Sequence, residues 1–159
     1  MTFSPTEIRT LAERWIELDN TEAHQELLER WLQEENWSDL TNCLTARLQF
    51  GTAGLRGSVG PGSNRMNRGM VQQTALGIAH YVAELNLPKS VIIGFDARLT
   101  SRQFAKDVAD VFHSDGFQVQ LFDDICTTPL LAFGVTWTQP TIGVIITASH
   151  NPAPDNVFK

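Results

Sequence analysis

The feature that most constrains the fold is a set of three short apolar segments separated by helical stretches. Residues 91–95 and 142–147 are nearly continuous apolar runs, typical of strands buried on both faces, and residues 117–122 alternate as a strand does. Each connection is about twenty residues long, enough for a crossover between parallel strands, and such crossovers are almost always right-handed. The sequence therefore predicts an α/β fold, a three-layer domain with a mostly parallel sheet between helices.

Helical periodicity accounts for most of the remaining chain. Pro5 follows Ser4, a pair typical of a helix start, and Thr21 and Ser38 mark the starts of a second and a third helix. The first 49 residues therefore predict a helical N-terminal extension. Further helices are predicted from Asn67 to about Asn86, from Thr100 or Ser101, and from Thr128 to about Val135.

Polar residues follow each predicted strand. Asp96 and Arg98 come after the first strand, Asp123 and Asp124 after the second, and Ser149 after the third. Open α/β sheets bind ligands at the carboxyl ends of their strands, so we expect Arg98 and Ser149 on the same edge. We interpret Arg98 as a structural residue paired with Asp96 or Asp124, and the adjacent aspartates as solvated carboxylates.

Residues 147–152 read Thr-Ala-Ser-His-Asn-Pro and carry the strongest functional signal. A hydroxyl, an imidazole and an amide lie together, and Pro152 and Pro154 stiffen the turn, a combination that suits an anion such as a phosphoryl group. The simpler alternative is that Ser149 is only a polar turn residue. An acyl-transfer site is disfavoured because no nucleophile-elbow motif and no orienting acid accompany the adjacent serine and histidine.

Residues 50–62 form a glycine-rich segment that contains Arg56. Glycines let a backbone approach a ligand closely, and an arginine offers a planar fork for phosphate oxygens. The segment is neither a Walker loop nor a dinucleotide-binding loop, because its spacing fits neither pattern. Taken alone, it is equally well explained as a surface loop.

Charge and composition limit the possible partners. The 159 residues include 18 acidic and 12 basic side chains, and the net charge of −6 argues against nucleic-acid binding. No apolar stretch approaches the roughly 20 residues of a membrane helix, so no membrane association is expected. Cys43 and Cys126 lie far apart without histidines at metal-ligand spacing, which favours a cytoplasmic protein without disulfides or zinc.

Three motifs occur in a fixed order: the glycine-rich segment, residues 95–98 (Phe-Asp-Ala-Arg) leading to Ser101, and Thr-Ala-Ser-His-Asn-Pro followed by Lys159. Their order and content resemble the α-D-phosphohexomutase superfamily. The Gly-Thr-Ala-Gly form, residues 65–67 (Arg-Met-Asn) and the helical extension are most similar to its type 2 phosphoglucomutase and phosphopentomutase branch. The resemblance covers about residues 3–159.

This resemblance implies a phosphosugar mutase acting on glucose 1-phosphate and glucose 6-phosphate, or on ribose 1-phosphate and ribose 5-phosphate. Phosphorylated Ser149 is implied to donate its phosphoryl group to a sugar monophosphate. The resulting sugar bisphosphate, which also serves as activator, returns its other phosphate to the serine. Lys159 is implied in proton transfer.

The remaining site residues are also carried over from the resemblance. Arg56 is implied to contact phosphate with the neighbouring Gly57, and His150 and Asn151 are implied to line the same pocket, His150 within the catalytic group. A magnesium ion is implied to be held by the phosphate on Ser149 and by an aspartate-rich loop outside this chain.

The resemblance also implies a division of the chain. Residues 1–49 are the extension and residues 50–159 the family's first domain, which is expected to be inactive without the later domains. Val157 stands where the family usually has glycine, and valine is poorly suited to positive φ, so a glycine-type turn is not expected there. Thr127 in place of a proline is a mild change. The rival interpretation is a non-catalytic sugar-phosphate-binding or scaffolding module.

Overall fold

A six-stranded sheet organises the structure, a computed structural model that describes residues 3–19, 21–52 and 54–159. Six helices accompany the sheet within these residues. In chain order the elements are α1 (Pro5–Leu18), α2 (Glu22–Gln33), α3 (Trp37–Leu44), β1 (Phe50–Gly51), β2 (Gly54–Ser58), α4 (Arg68–Glu84), β3 (Ser90–Phe95), α5 (Ser101–Ser114), β4 (Gln118–Leu121), α6 (Thr128–Thr138), β5 (Ile142–Ile146) and β6 (Asp155–Phe158).

The strands lie in the order β1-β2-β6-β5-β3-β4. The three predicted strands, β3, β4 and β5, pair in parallel as expected. The sequence did not predict β1, β2 or β6, which pair antiparallel with their neighbours. The expectation of a mostly parallel sheet therefore holds for the predicted strands, whereas the sheet as a whole is mixed.

The N-terminal helices form as predicted, with one correction. Ser4 and Glu7 make a reciprocal capping box at the start of α1, and Thr21 precedes α2. The third helix begins at Trp37 and is capped by Asn36, whose side chain accepts from the Asp39 amide, so the predicted cap at Ser38 is wrong. These helices share a small core of their own, made of Ile8, Ala12, Leu28, Leu40, Cys43 and Leu44.

Side chains along each strand alternate between the two faces of the sheet, and helices pack on both faces to give three layers. Leu55, Phe158, Ile146 and Phe95 form one row across the sheet and join the main core with α4 and α5. The opposite face at β3 and β5 packs against α6 through Ile92, Ile145 and Leu131. The predicted three-layer α/β arrangement is therefore confirmed.

Val157 fits the strand in which it lies. Its side chain is buried, and its Cα lies opposite Arg56 in the β2–β6 pair. A β-branched residue suits a strand, so no glycine-type turn is needed at this position. Within the described residues, no helix has both the length and the apolar character needed to cross a membrane.

Gly54 is the residue that lets β2 lie against β6. Its φ is +98°, and a Cβ at this position would lie 2.2 Å from the carbonyl oxygen of Phe158. We expect Gly54→Ala to lower the free energy of unfolding by at least about 2 kcal/mol, because the new side chain meets backbone and the dihedral disfavours it. Chemical denaturation measures this change.

Gly77→Ala is the matched control, because a Cβ at this position in α4 meets nothing within 4 Å. We expect it to raise the free energy of unfolding by about 0.5–1 kcal/mol through helix propensity. Equal effects of the two substitutions would contradict the close approach of β2 to β6.

Candidate functional site

Ser149 lies on an exposed loop directly beyond the carboxyl end of β5. Its φ is +52°, the left-handed region that non-glycine residues seldom adopt. Such a conformation costs about 1–3 kcal/mol and persists only where the surroundings hold it. The contacts of this loop therefore decide how the serine is presented.

The side chain of Arg98 binds the serine loop at five points. Its guanidinium Nη1 donates to three backbone carbonyls and its Nη2 to two, at distances between 2.7 and 3.3 Å. The acceptors belong to Ser149, Asn151, Pro152, Ala153 and Asp155. Because carbonyls from both ends of the loop converge on one rigid group, the loop has little freedom to change shape.

Asp96 fixes Arg98 and the start of the loop together. Its Oδ1 accepts hydrogen bonds from the Arg98 amide at 3.0 Å and from the Ser101 hydroxyl at 2.6 Å. Its Oδ2 accepts from the Ala148 amide at 3.2 Å and lies 3.6 Å from the Arg98 Nε. Of the two partners predicted for Arg98, the structure shows Asp96, whereas Asp124 lies near Arg102.

The environment of Asp96 favours its ionised form. Burial alone would raise the pKa of Asp96, but hydrogen bonds from Ser101, the Arg98 amide, Thr147 and the Ala148 amide together hold this pKa below its ordinary value. The side chains of Asp96 and Arg98 are only 22% and 18% exposed, so water screens their attraction weakly.

The far end of the loop is tied to β2. The Ser58 hydroxyl and the Asn151 side-chain amide donate to the two carboxylate oxygens of Asp155, at 2.9 and 3.1 Å. The Val59 amide donates to the Pro154 carbonyl at 2.8 Å. The predicted site residue Asn151 therefore uses its side-chain nitrogen to shape the turn.

An open cleft of about 720 Å³ lies beside the loop. Its lining includes Ser149, Asn151, Asp96, Arg98, Leu99 and Val59. Among the predicted site residues, the structure brings Ser149 and Asn151 into this cleft. His150 is exposed next to Ser149, with its Nδ1 at 3.5 Å from the serine Oγ, the limit of a hydrogen bond.

Arg56 and Lys159 are exposed and lie on neighbouring strands rather than in the lining of this cleft. The Cα of Arg56 is opposite Val157, and the backbone of Lys159 exchanges two hydrogen bonds with Ile145. This register places both residues on the sheet face that α6 covers at β3 and β5, as diagonal neighbours whose backbones are about 7 Å apart. Two positively charged residues therefore share one sheet face, Lys159 next to β5 and Arg56 one strand further out.

Gly57 and the remaining candidates have ordinary structural surroundings. A Cβ at Gly57 would lie 2.9 Å from Leu48 Cδ2, so tight packing accounts for the glycine. Asp123 and Asp124 are exposed, and Asp124 lies 3.9 Å from Arg102. In the part of the chain that the structure describes, no three His, Cys, Asp or Glu side chains gather into a possible metal site.

The role of Arg98 in holding the serine loop was not predicted from the sequence. The sequence feature that pointed to Arg98 was the Phe-Asp-Ala-Arg motif, and from it we predicted only an ion pair. The network that joins Asp96, Ser101 and Ala148 was also missed. Asn156 extends this network, because its side-chain nitrogen donates to the Ser101 and Thr100 hydroxyls at 3.0 Å.

The fold and site define an α/β/α domain that presents an exposed, conformationally fixed serine at the carboxyl end of a central strand. The family described as phosphoglucomutase/phosphomannomutase, alpha/beta/alpha domain I, matches residues 47–159. The chain belongs to this family, as its motifs predicted.

Individual relatives agree with this assignment. The chain is 40% identical over 156 residues to a human phosphopentomutase, covering 92% of this chain and 25% of that protein. It is 44% identical over 112 residues to a Staphylococcus haemolyticus phosphoglucomutase, covering 70% and 20% of the two chains. A solved structure of a proposed phosphomannomutase from Thermus thermophilus matches with a TM-score of 0.66 and 28% identity, covering 72% and 25%. The chain thus spans about a quarter of the length of the curated relatives it matches.

Asp96→Asn tests the electrostatic contribution of this network. The amide nitrogen of asparagine cannot accept the hydrogen bonds that reach one carboxylate oxygen, so we expect the free energy of unfolding to fall by about 1–3 kcal/mol at neutral pH. Because the pKa of Asp96 is depressed in the folded protein, its ionised form stabilises the fold fully above the ordinary pKa of about 4. This contribution is lost as the pH falls below that value.

Denaturation of both proteins as a function of pH measures the effect. The difference between wild type and Asp96→Asn should be constant near neutrality and shrink below about pH 4. A difference that does not depend on pH would contradict the depressed pKa.

Proposed function

We propose that the protein is a phosphosugar mutase that moves a phosphate between two hydroxyls of a sugar through a phosphoserine at Ser149. The observation that carries this proposal is the exposed Ser149, which the Arg98 contacts hold in a left-handed conformation at the end of β5. The names of the relatives, phosphopentomutase and phosphoglucomutase, support the same reaction class.

In the proposed reaction, a hydroxyl oxygen of a sugar monophosphate attacks the phosphorus of phosphorylated Ser149. The bond between phosphorus and the serine oxygen breaks, a bond to the sugar oxygen forms, and the proton of the sugar hydroxyl is transferred to the freed serine oxygen. The resulting sugar bisphosphate turns round and returns its other phosphate to the Ser149 oxygen. Such transfers depend mainly on positioning and on groups that stabilise the charge of the phosphoryl oxygens.

Arg56 and Lys159 are the proposed cationic groups of this site. Both are exposed on one sheet face. Arg56 lies opposite Val157, and the Val157 carbonyl accepts a hydrogen bond from the amide of Thr147, two residues before the serine. We propose that Arg56, beside Gly57, contacts phosphate and that Lys159 takes part in proton transfer with the sugar hydroxyl. His150 and Asn151 directly follow the serine and are proposed to line the same pocket.

A magnesium ion fits this chain only in part. The exposed oxygen of Ser149, once phosphorylated, offers a ligand of the hard oxygen type that Mg²⁺ prefers. The carboxylates of Asp96 and Asp155 are already engaged by several hydrogen-bond donors. The remaining ligands would therefore come from outside residues 1–159, and the bound ion would neutralise phosphoryl charge.

The substrates proposed are the glucose phosphates or the ribose phosphates, with the matching bisphosphate as activator. Residues 50–159 would form the domain that carries the phosphate, and residues 1–49 an extension that packs on it. The family match from residue 47 supports this division. We propose a cytoplasmic protein whose sugar recognition depends on further domains, so that residues 1–159 alone would be inactive.

Mass spectrometry of the intact protein tests the phosphoserine. Incubation with glucose 1,6-bisphosphate or ribose 1,5-bisphosphate should add about 80 Da to the peptide containing Ser149, and Ser149→Ala should abolish the addition. Binding of sugar phosphate without this mass increment would instead favour a non-catalytic binding module.

Lys159→Ala tests the proton-transfer role. We expect kcat in the intact protein to fall by about 10²-fold or more, the usual scale for a general acid or base. Lys106→Ala is the matched control, because Lys106 is exposed on α5, where it pairs with Asp110. An unchanged kcat for Lys159→Ala in steady-state assays would remove Lys159 from the proposed mechanism.

A further inference from the structure

Arg98 has no part in the chemistry proposed above, although its side chain holds the loop that carries the reacting serine. We propose that Arg98 is a positioning residue, which sets the Ser149 oxygen for phosphoryl transfer by binding the loop carbonyls. This inference rests on the proposed function, because it concerns how the same serine is oriented. It assigns to Arg98 a role in rate rather than in substrate binding.

The first argument is the number of acceptors that one guanidinium holds. Five loop carbonyls accept from its two terminal nitrogens, and its Nε faces Asp96 at 3.6 Å. A guanidinium has five N–H donors in a fixed planar arrangement, and here all its nitrogens face the loop or Asp96. The loop carbonyls engage the donors of both terminal nitrogens, so Arg98 acts on the serine through the backbone.

The second argument is the backbone of Ser149 itself. Its left-handed φ of +52° is unfavourable for a residue with a side chain, so the conformation needs external support. Arg98 binds the carbonyl of Ser149 at 3.2 Å and that of Asn151 at 2.7 Å, on either side of His150. These contacts hold the carbonyl of the strained residue itself and that of the second residue after it.

The third argument is that Arg98 is itself fixed. Asp96 binds the Arg98 amide and also the Ala148 amide, one residue before the serine. The same carboxylate therefore aligns the residue that binds the loop and the strand end from which the loop begins. A rigid support of this kind is what accurate positioning requires.

Loss of Arg98 should therefore act on the reaction rate. Without the carbonyl contacts, Ser149 can relax towards ordinary backbone conformations, which displaces its oxygen from the line of attack. Displacements near 1 Å can lower a rate by about 10²-fold. The affinity for the sugar phosphate should change little, because the terminal donors of Arg98 are engaged by the loop carbonyls.

The test compares Arg98→Ala, Arg98→Lys and Arg102→Ala in the intact protein. Arg102 is the control, because it lies four residues after Arg98, in the first turn of α5, but pairs with Asp124 and the Asp123 carbonyl instead of the serine loop. We expect Arg98→Ala to lower kcat by about 10²-fold with KM nearly unchanged. Added guanidinium ion should partly restore this kcat, whereas Arg102→Ala should keep wild-type kinetics.

Arg98→Lys keeps the positive charge but cannot span five carbonyls with one ammonium group. We expect it to lose at least about tenfold in kcat. It also serves as the test protein if Arg98→Ala does not fold. Amide hydrogen exchange across residues 147–156 should be faster in both Arg98 variants than in wild type.

Several results would overturn the proposal. A wild-type kcat for Arg98→Lys would mean that charge alone suffices, and a raised KM with unchanged kcat would mean that Arg98 binds substrate. Unchanged hydrogen exchange in the loop would show that Arg98 does not hold it. A wild-type protein with no mutase activity would instead contradict the proposed function. The hydrogen-exchange measurement would still decide whether Arg98 restrains the loop.

Discussion

The structure around the candidate site depends on one charged pair, Asp96 and Arg98, at the end of β3. Asp96 accepts hydrogen bonds from Ser101, at the start of α5, and from the Ala148 amide, just beyond β5. Arg98 donates hydrogen bonds to carbonyls of the serine loop. The pair is partly buried, so its strength is less screened than that of a surface ion pair. An otherwise unfavourable backbone at Ser149 can persist because these contacts surround it.

The unpredicted strand β6 has an equally large effect on the site. It runs antiparallel between β5 and β2, and thereby places the glycine-rich segment two strand spacings, about 10 Å, from the backbone that leads to the serine. Arg56 and Lys159 share the sheet face that α6 leaves open at this edge. The site is therefore divided between a rigid loop held by Arg98 and a cationic surface on the neighbouring strands.

Periodic parts of the fold could be predicted from the sequence, because burial imposes a regular apolar pattern on helices and central strands. The parallel strands and the capped start of α1 at Ser4 belong to this group. Strands β1, β2 and β6 were missed because they lack the apolar pattern of the predicted strands, β1 and β2 being rich in glycine. In addition, β2 pairs with residues about a hundred positions later, as Leu55 with Phe158. Asn36 and Ser38 are both good caps, so local preference alone could not choose between them.

The site shows a similar limit. The Thr-Ala-Ser-His-Asn-Pro motif identified the serine because its residue types are specific, and the order of strands put Arg98 on the same edge. The carbonyl contacts of Arg98 could not be predicted. Every residue has a backbone carbonyl, so the residue types do not show which carbonyls accept a hydrogen bond from an arginine. Family membership is established by residues 47–159, whereas the roles of Arg56, Gly57, His150, Asn151 and Lys159 stay predictions.

Crystal structures of the intact protein with and without a phosphoryl group on Ser149 test the central claim most directly. If the Asp96–Arg98 pair fixes the serine, both structures will show a positive φ at Ser149 and the Arg98 guanidinium bound to the loop carbonyls. A serine with negative φ, or an Arg98 that leaves the carbonyls to bind the phosphoryl group or solvent, would contradict the account.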